Sequence, residues 1–257
     1  MGAPYYCISD HIHYNEDDEY FPETLNLAKG LIAKSIDKPL FLASEITFAD
    51  SEGNLPLHPR SKKYLSYTLI GAHYIPGTSI NMEDTHQGKS TLYQWLEEDY
   101  EKLSQLFEIV ESMYTKGIAK NSPDILVHPF STILRCDFAH VELLSVFEKI
   151  CEICQETRTA IEINRSEIRR FIEFPNPVSI EHPDVPPLRD FYHKLISIMA
   201  KYDILISLGS DAHNLNDVGD IGPCVDMINT YHISPDRILN LKKKGTICFS
   251  EVVDQQA

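Results

Sequence analysis

Ile204-Leu205-Ile206-Ser207-Leu208-Gly209-Ser210-Asp211-Ala212-His213 decides the fold: a short apolar run, a glycine, then two ligand-type side chains two residues apart. A run this short, bounded by Gly and rich in Ile and Leu, reads as a strand buried on both faces, the condition of parallel strands covered by helices. On an extended segment residues i and i+2 point the same way, so Asp211 and His213 are spaced to grip one ion at the strand's C-terminal end.

The same arrangement recurs along the chain. Strands are expected at residues 5–8, 40–46, 67–73, 124–128, 160–163 and 204–208, with 246–249 as a further candidate. Amphipathic stretches at 22–33, 92–114, 140–156, 187–201 and 235–243 alternate with them and predict helices, several opening on Pro. Alternation of this kind gives the α/β class with a parallel sheet. Residues 50–59 and 74–90, rich in Gly, Pro, Asn and Ser, are expected to be loops on the active face.

Nearly every strand ends in polar, ligand-type residues. Asp10-His11-Ile12-His13 ends the first, Glu45 lies in the second, and His73 follows the third in Gly71-Ala72-His73-Tyr74. His128 lies in Val127-His128-Pro129-Phe130, and Glu162 and Asn164 alternate with isoleucines in Ile161-Glu162-Ile163-Asn164. One such histidine would be an ordinary loop or capping residue. Recurrence at the same end of successive strands, inside otherwise apolar runs, points instead to a shared site, because barrel enzymes build theirs on that rim and buried polar groups need partners. Imidazole and carboxylate together suit zinc, manganese or iron better than calcium.

The 257 residues fit one domain. A formal charge of −15 argues against a surface that tracks nucleic-acid phosphates and favours a small substrate. It does not exclude a phosphate ester, since bound cations dominate the local field. No membrane segment or leader is expected, and six scattered cysteines suggest a reducing cytoplasm. Cys151 and Cys154 form a C-x-x-C, but on a helical pattern with no second pair, so they are expected to be core residues.

In the order of its motifs the chain resembles the PHP family, named for its polymerase and histidinol phosphatase members. Ile8-Ser9-Asp10-His11 is similar to that family's Thr-Asp-His motif, and Ser44-Glu45-Ile46 to the glutamate motif that follows. His73, Val127-His128-Pro129 and Gly209-Ser210-Asp211-Ala212-His213 match the later histidines and the closing Asp-x-His. The resemblance implies a distorted (β/α)7-type barrel in which His11, Glu45, His73, His128, Asp211 and His213 bind two, and up to three, divalent ions. One departure stands out: the family's opening His-x-His unit is not seen ahead of Asp10-His11. Either His11-Ile12-His13 is itself that opening motif or the first βα unit is missing. The single helix and strand that fill the interval from His11 to Glu45 favour the second account, with His13 as a partial substitute ligand.

The implied activity is hydrolysis of a small phosphate ester by metal-activated water, with Glu45 bridging ions and Asp211 shuttling the proton. Arg135 is expected either to fork onto substrate phosphate or to be a plain surface arginine. Glu162 and Asn164 are expected either to touch substrate or to hydrogen-bond within the rim. Two other readings remain open at this point: an amidohydrolase-like barrel, against which the extra His213 counts, and a degenerate, non-catalytic PHP domain. The oligomeric state is not read from the sequence.

Overall fold

Strict alternation along each strand sorts the sequence onto two faces of one sheet. The computed structural model describes residues 6–12, 40–57, 62, 65–176 and 182–239. Its strands are β1 (Tyr6–Ile12), β2 (Leu40–Thr47), β3 (Tyr67–Gly71), β4 (Ile125–Leu126), β5 (Ala160–Asn164) and β6 (Ile206–Gly209). Each pairs in parallel with the next, in the order β1-β2-β3-β4-β5-β6. Sequential order without reversal is the arrangement that right-handed crossovers produce, and the described connecting helices pack on one face. All strand C-termini then lie along one edge.

The helices are α1 (Thr85–Glu98), α2 (Tyr100–Asn121), α3 (Ser131–Leu134), α4 (Glu142–Thr157), α5 (Arg165–Ile168), α6 (Leu188–Lys201) and α7 (Gly222–Thr230). On the helical face Ile70, Leu126, Ile161, Ile163 and Ile206 pack in one core with Leu106, Val110, Phe147, Ile150, Leu195 and Met199. Fully burying a side chain of this size contributes about 1.5–3 kcal/mol, which makes this layer the main source of stability. On the opposite face Phe41, Ala43, Tyr67, Leu69, Ile125, Val127 and Ala160 form a second, smaller apolar layer. Moving toward the strand C-termini, that inner face changes from apolar to ionisable.

Several expectations need correction. The first strand extends through Asp10 and His11 to Ile12, so His11 is a ladder residue in register with Glu45, not a loop residue after the strand. The helix expected at 92–114 is two helices meeting at Asp99. Asp99 closes α1 and caps α2, its carboxylate accepting from the Lys102 amide at 3.3 Å, an alternative to continued helix that short acidic side chains favour. The loop expected at 74–90 ends early, where Asp84 caps α1 through the Gln87 amide at 2.9 Å. Helices α3, α5 and α7 had no expectation in the sequence. Where a seven-stranded barrel is expected, the described residues form one six-stranded sheet with β1 and β6 at its edges. The helix expected at 235–243 is described only through Leu239, where Pro235–Arg237 is a 3-10 turn and Ile238 bridges to Ile206; the helix expected at 22–33, the strand at 246–249 and His13 lie outside the described residues.

Candidate metal centre

Phe41, Ala43, Glu45 and Thr47 share one face of β2, so the strand that anchors the inner apolar layer carries a carboxylate and a hydroxyl above it. Glu45 is only 6% exposed. Its Oε1 receives two imidazoles, His128 Nε2 at 2.6 Å and His73 Nε2 at 3.0 Å. On the other side of the same ring, His73 Nδ1 meets Thr47 Oγ1 at 2.6 Å. The Glu45 carboxylate can only accept, so a neutral His73 donates to it through Nε2, and Nδ1 accepts from the Thr47 hydroxyl, which orients the ring. The His11 ring stands edge-on to that of His73 with centroids 4.9 Å apart, and the ligand atoms of His11, Glu45 and His73 all lie within 4.8 Å of one another.

His128 reaches this cluster by breaking the strand pattern. Alternation from Leu126 would send it to the helical face, but its φ of +29° turns the chain, and Phe130 at +64° completes the bend. Such values are uncommon for residues with side chains and persist only when neighbours enforce them. Here the Tyr114 hydroxyl accepts from the Phe130 amide at 3.2 Å and the Glu162 carboxylate from the His128 amide at 3.3 Å. Gly71 makes room for the ring: a Cβ there would lie 3.1 Å from His128 Cε1 and 2.9 Å from Val127 Cγ2.

The electrostatics follow from burial. Desolvation alone would raise Glu45, but the charge of His128 and hydrogen bonds from both histidines outweigh it and hold the carboxyl well below its usual value. Burial depresses His128, yet Glu45, Glu162 and Glu167 together push it up to about 9. Desolvation is the largest effect on His73 and lowers it. Desolvation also pushes Glu162 up to about 7 against the pull of His128, with repulsion from Glu45 and Asp211 adding to the rise. Metal ligands must be deprotonated, so an ion here would replace the proton shared by His128 and Glu45. His11, Glu45 and His73 supply donors that fit such an ion, and His128 borders them through Glu45, its own Nδ1 buried and lacking a hydrogen-bond partner among the described residues.

A second group of expected residues lies around the end of β6. Asp211 has φ +49°, so the extended Asp-x-His pair is in fact a turn, with His213 Nδ1 3.0 Å from the Asp211 carbonyl and its side chain 75% exposed. Arg135 Nη2 stands 4.0 Å from Asp211 Oδ2 and 3.1 Å from Glu167 Oε1. Asn164 is buried and spends both ends of its amide internally: Nδ2 donates to Glu162 Oε2 at 3.0 Å, and Oδ1 accepts from the Glu167 amide to cap α5. Glu162 rests against Gly209, where a Cβ would lie 1.8 Å from its Oε1.

Sequence reasoning did not single out Thr47, Ser131, Glu167 or the packing roles of Gly71 and Gly209. Thr47 was findable, being two residues beyond Glu45 on the same strand face. Glu167 falls at the third position after Asn164, the spacing of a capping box, though its carboxylate turns elsewhere.

No protein-family model matches the chain, and no curated protein matches it. Among solved structures it is similar to histidinol phosphate phosphatase from Lactococcus lactis subsp. lactis Il1403, complexed with zinc, L-histidinol and phosphate. That likeness covers 91% of this chain and 84% of that one, with a TM-score of 0.51 and 13% identity. A chain of archaeal ribonuclease P, solved with mature tRNA, gives a TM-score of 0.42 at 13% identity over 90% of each chain. At 13% identity the first likeness speaks for the fold: this α/β architecture is shared with a zinc-bound phosphatase.

Proposed function

We propose that this chain is a metal-dependent phosphoesterase acting on a small phosphate ester, working as one domain in a reducing cytoplasm. The observation that carries the reading is the convergence of His11, His73 and His128 on Glu45 at the C-terminal edge of the sheet. His11, Glu45, His73 and His128 would hold one ion, with Asp211, His213 and His13 as ligands of a second and up to a third. The ions, zinc, manganese or iron, would supply Lewis-acid activation of water and neutralise phosphate charge. The chain's own residues do the rest. Thr47 orients the His73 ring, and Glu162 holds the His128 turn. Arg135 faces Asp211 with a guanidinium suited to two phosphate oxygens, and Asp211 is the proton acceptor beside it. Asn164, whose amide is already engaged, acts through Glu162 and α5.

Charge supports the small substrate: at −15 overall, a nucleic-acid backbone would be repelled everywhere but at the ions. No helix among the described residues is long and apolar enough to cross a membrane, and Cys136, Cys151, Cys154 and Cys224 are free, buried thiols.

The test is metal analysis of protein purified without chelator, coupled to a screen of phosphomonoesters that includes L-histidinol phosphate, with zinc, manganese and iron. Turnover of at least one ester, lost with the ion in Asp211→Asn, is the expected result. Metal-loaded protein that turns over lactones or amides instead would favour the amidohydrolase-like reading. Metal-loaded protein inert on every substrate would favour the non-catalytic one.

A further inference from the structure

Ser131 and Arg135 sit one turn apart on α3, so the arginine folds back along its own helix and its Nε donates to Ser131 Oγ at 2.9 Å. Both then meet the same oxygen. Ser131 Oγ donates to Glu167 Oε1 at 2.8 Å and Arg135 Nη2 to that oxygen at 3.1 Å, closing a ring of three hydrogen bonds between α3 and the first turn of α5. Glu167 is 1% exposed, its Oε2 has no hydrogen-bond partner among the described residues, and Arg135 is the one cation in ion-pair contact with it there. A carboxylate this buried is retained only beside a fixed positive charge. Arg135 is therefore no freely rotating surface arginine. Its inner edge is pinned, and the same nitrogen that is pinned lies 4.0 Å from Asp211 Oδ2 at the rim.

We propose that Glu167 is a positioning residue for anion recognition: with Ser131 it locks the Arg135 guanidinium beside Asp211, so that the phosphoryl group of the substrate meets a preorganised fork. This rests on the phosphoesterase reading for the identity of the anion, and it assigns to Glu167 a role that touches neither substrate nor metal. A pinned guanidinium loses little side-chain entropy on binding, and that saving is the physical effect of the ring.

The test measures inorganic phosphate binding to the zinc-loaded chain by calorimetry, which needs no turnover, for wild type, Glu167→Gln, Arg135→Ala and the double variant. Glu167→Gln keeps the shape and removes the charge. It should weaken phosphate binding about tenfold, the scale of one charge-assisted hydrogen bond, with zinc content unchanged. Arg135→Ala should weaken it further, and the double variant should match Arg135→Ala within about twofold, because Glu167 acts only through the arginine. Where Arg135→Ala strands the Glu167 charge and fails to fold, Arg135→Lys, which keeps a cation there, takes its place.

Phosphate affinity in Glu167→Gln equal to wild type, losses that multiply in the double variant, or zinc lost from Glu167→Gln would each overturn the assignment. A wild type that binds phosphate but hydrolyses no ester ends the phosphoesterase reading and leaves this one standing. A zinc-loaded wild type that binds no phosphate ends both.

Discussion

Replacing Gly209 by alanine tests whether Glu162 holds the metal centre together. The new Cβ would lie 1.8 Å from Glu162 Oε1, 2.7 Å from its Cδ and 3.3 Å from its Cγ. Ordinary contact between such atoms is about 3.5 Å, so the carboxylate must retreat by roughly 1.5 Å. That retreat cannot preserve both hydrogen bonds that its Oε2 accepts, from the His128 amide at 3.3 Å and from Asn164 Nδ2 at 3.0 Å. Overpacking costs about 1–3 kcal/mol and a strained or lost hydrogen bond to a carboxylate about 1.5 kcal/mol or more, which together suggest about 3 kcal/mol. For a chain of this length that corresponds to a fall in Tm of about 6–12 °C. Because the His128 turn loses its tether, zinc affinity should fall by about 10–100-fold, measured by competition with a chromophoric chelator. Adding Glu162→Ala removes the atoms the methyl strikes, so the double variant should be less destabilised than the sum of the two singles by about 1 kcal/mol. Gly209→Ala with unchanged Tm and unchanged zinc affinity would refute the reasoning outright.

Other outcomes follow from the same geometry. Thr47→Val removes the hydroxyl that orients the His73 ring and should weaken zinc binding about tenfold with Thr47→Ser restoring it; equal affinity in the valine variant would show that the bond at 2.6 Å does not orient the ring. Zinc binding near neutral pH should release about one proton, because His128, raised to about 9, is protonated before the ion arrives; calorimetry in two buffers of different ionisation enthalpy would detect it, and no buffer dependence would contradict it. Metal-free protein should lose stability as pH rises. His128, raised from 6.5 to about 9, contributes fully below 6.5 and loses that contribution through 9, and Glu162, raised from 4.5 to about 7, loses its own through 7. Glu45, held low, contributes only above its usual range, so urea unfolding in chelator should show greatest stability at about pH 5–6, and a higher midpoint at pH 9 than at 5.5 would be inconsistent.

Much of the fold was legible because parallel strands buried on both faces announce themselves as short apolar runs. The runs at 40–46, 160–163 and 204–208 fall on β2, β5 and β6 within one or two residues, and those at 140–156 and 187–201 on α4 and α6. What escaped was set by side chains acting on the backbone. Asp99 splits a helix whose apolar spacing continues through it. Asn164 starts α5 directly from the last residue of β5, leaving no loop for a reader of Gly and Pro to notice. The extension of β1 to Ile12 is similar: Asp10 and His11 carry no strand preference of their own and are extended because they pair with Ser44 and Glu45.

The site shows the same division between residue type and backbone. Glu45, His73 and Glu162 stand on strand faces or ends that simple alternation gives, so counting by two from the apolar layer suffices to aim them at one another. His128 does not obey that count, and Asp211, which the count from Leu205 would aim inward, leaves the extended conformation on which the count depends. Each has a positive φ, and each is held by groups remote in sequence: Tyr114 and Glu162 grip the turn of His128, and Arg135 and Ser166 stand against Asp211, the latter through a hydrogen bond of 3.4 Å to its carbonyl. Counting from Leu126 would misdirect His128 to the helical face. The residues that bend the chain there are therefore as much a part of the centre as the ligands. A sequence can display the ligands as His and Asp in a suggestive order, but the space and the hydrogen bonds that place them come from Gly71, Gly209, Glu162 and Glu167, whose types say nothing until their neighbours are known.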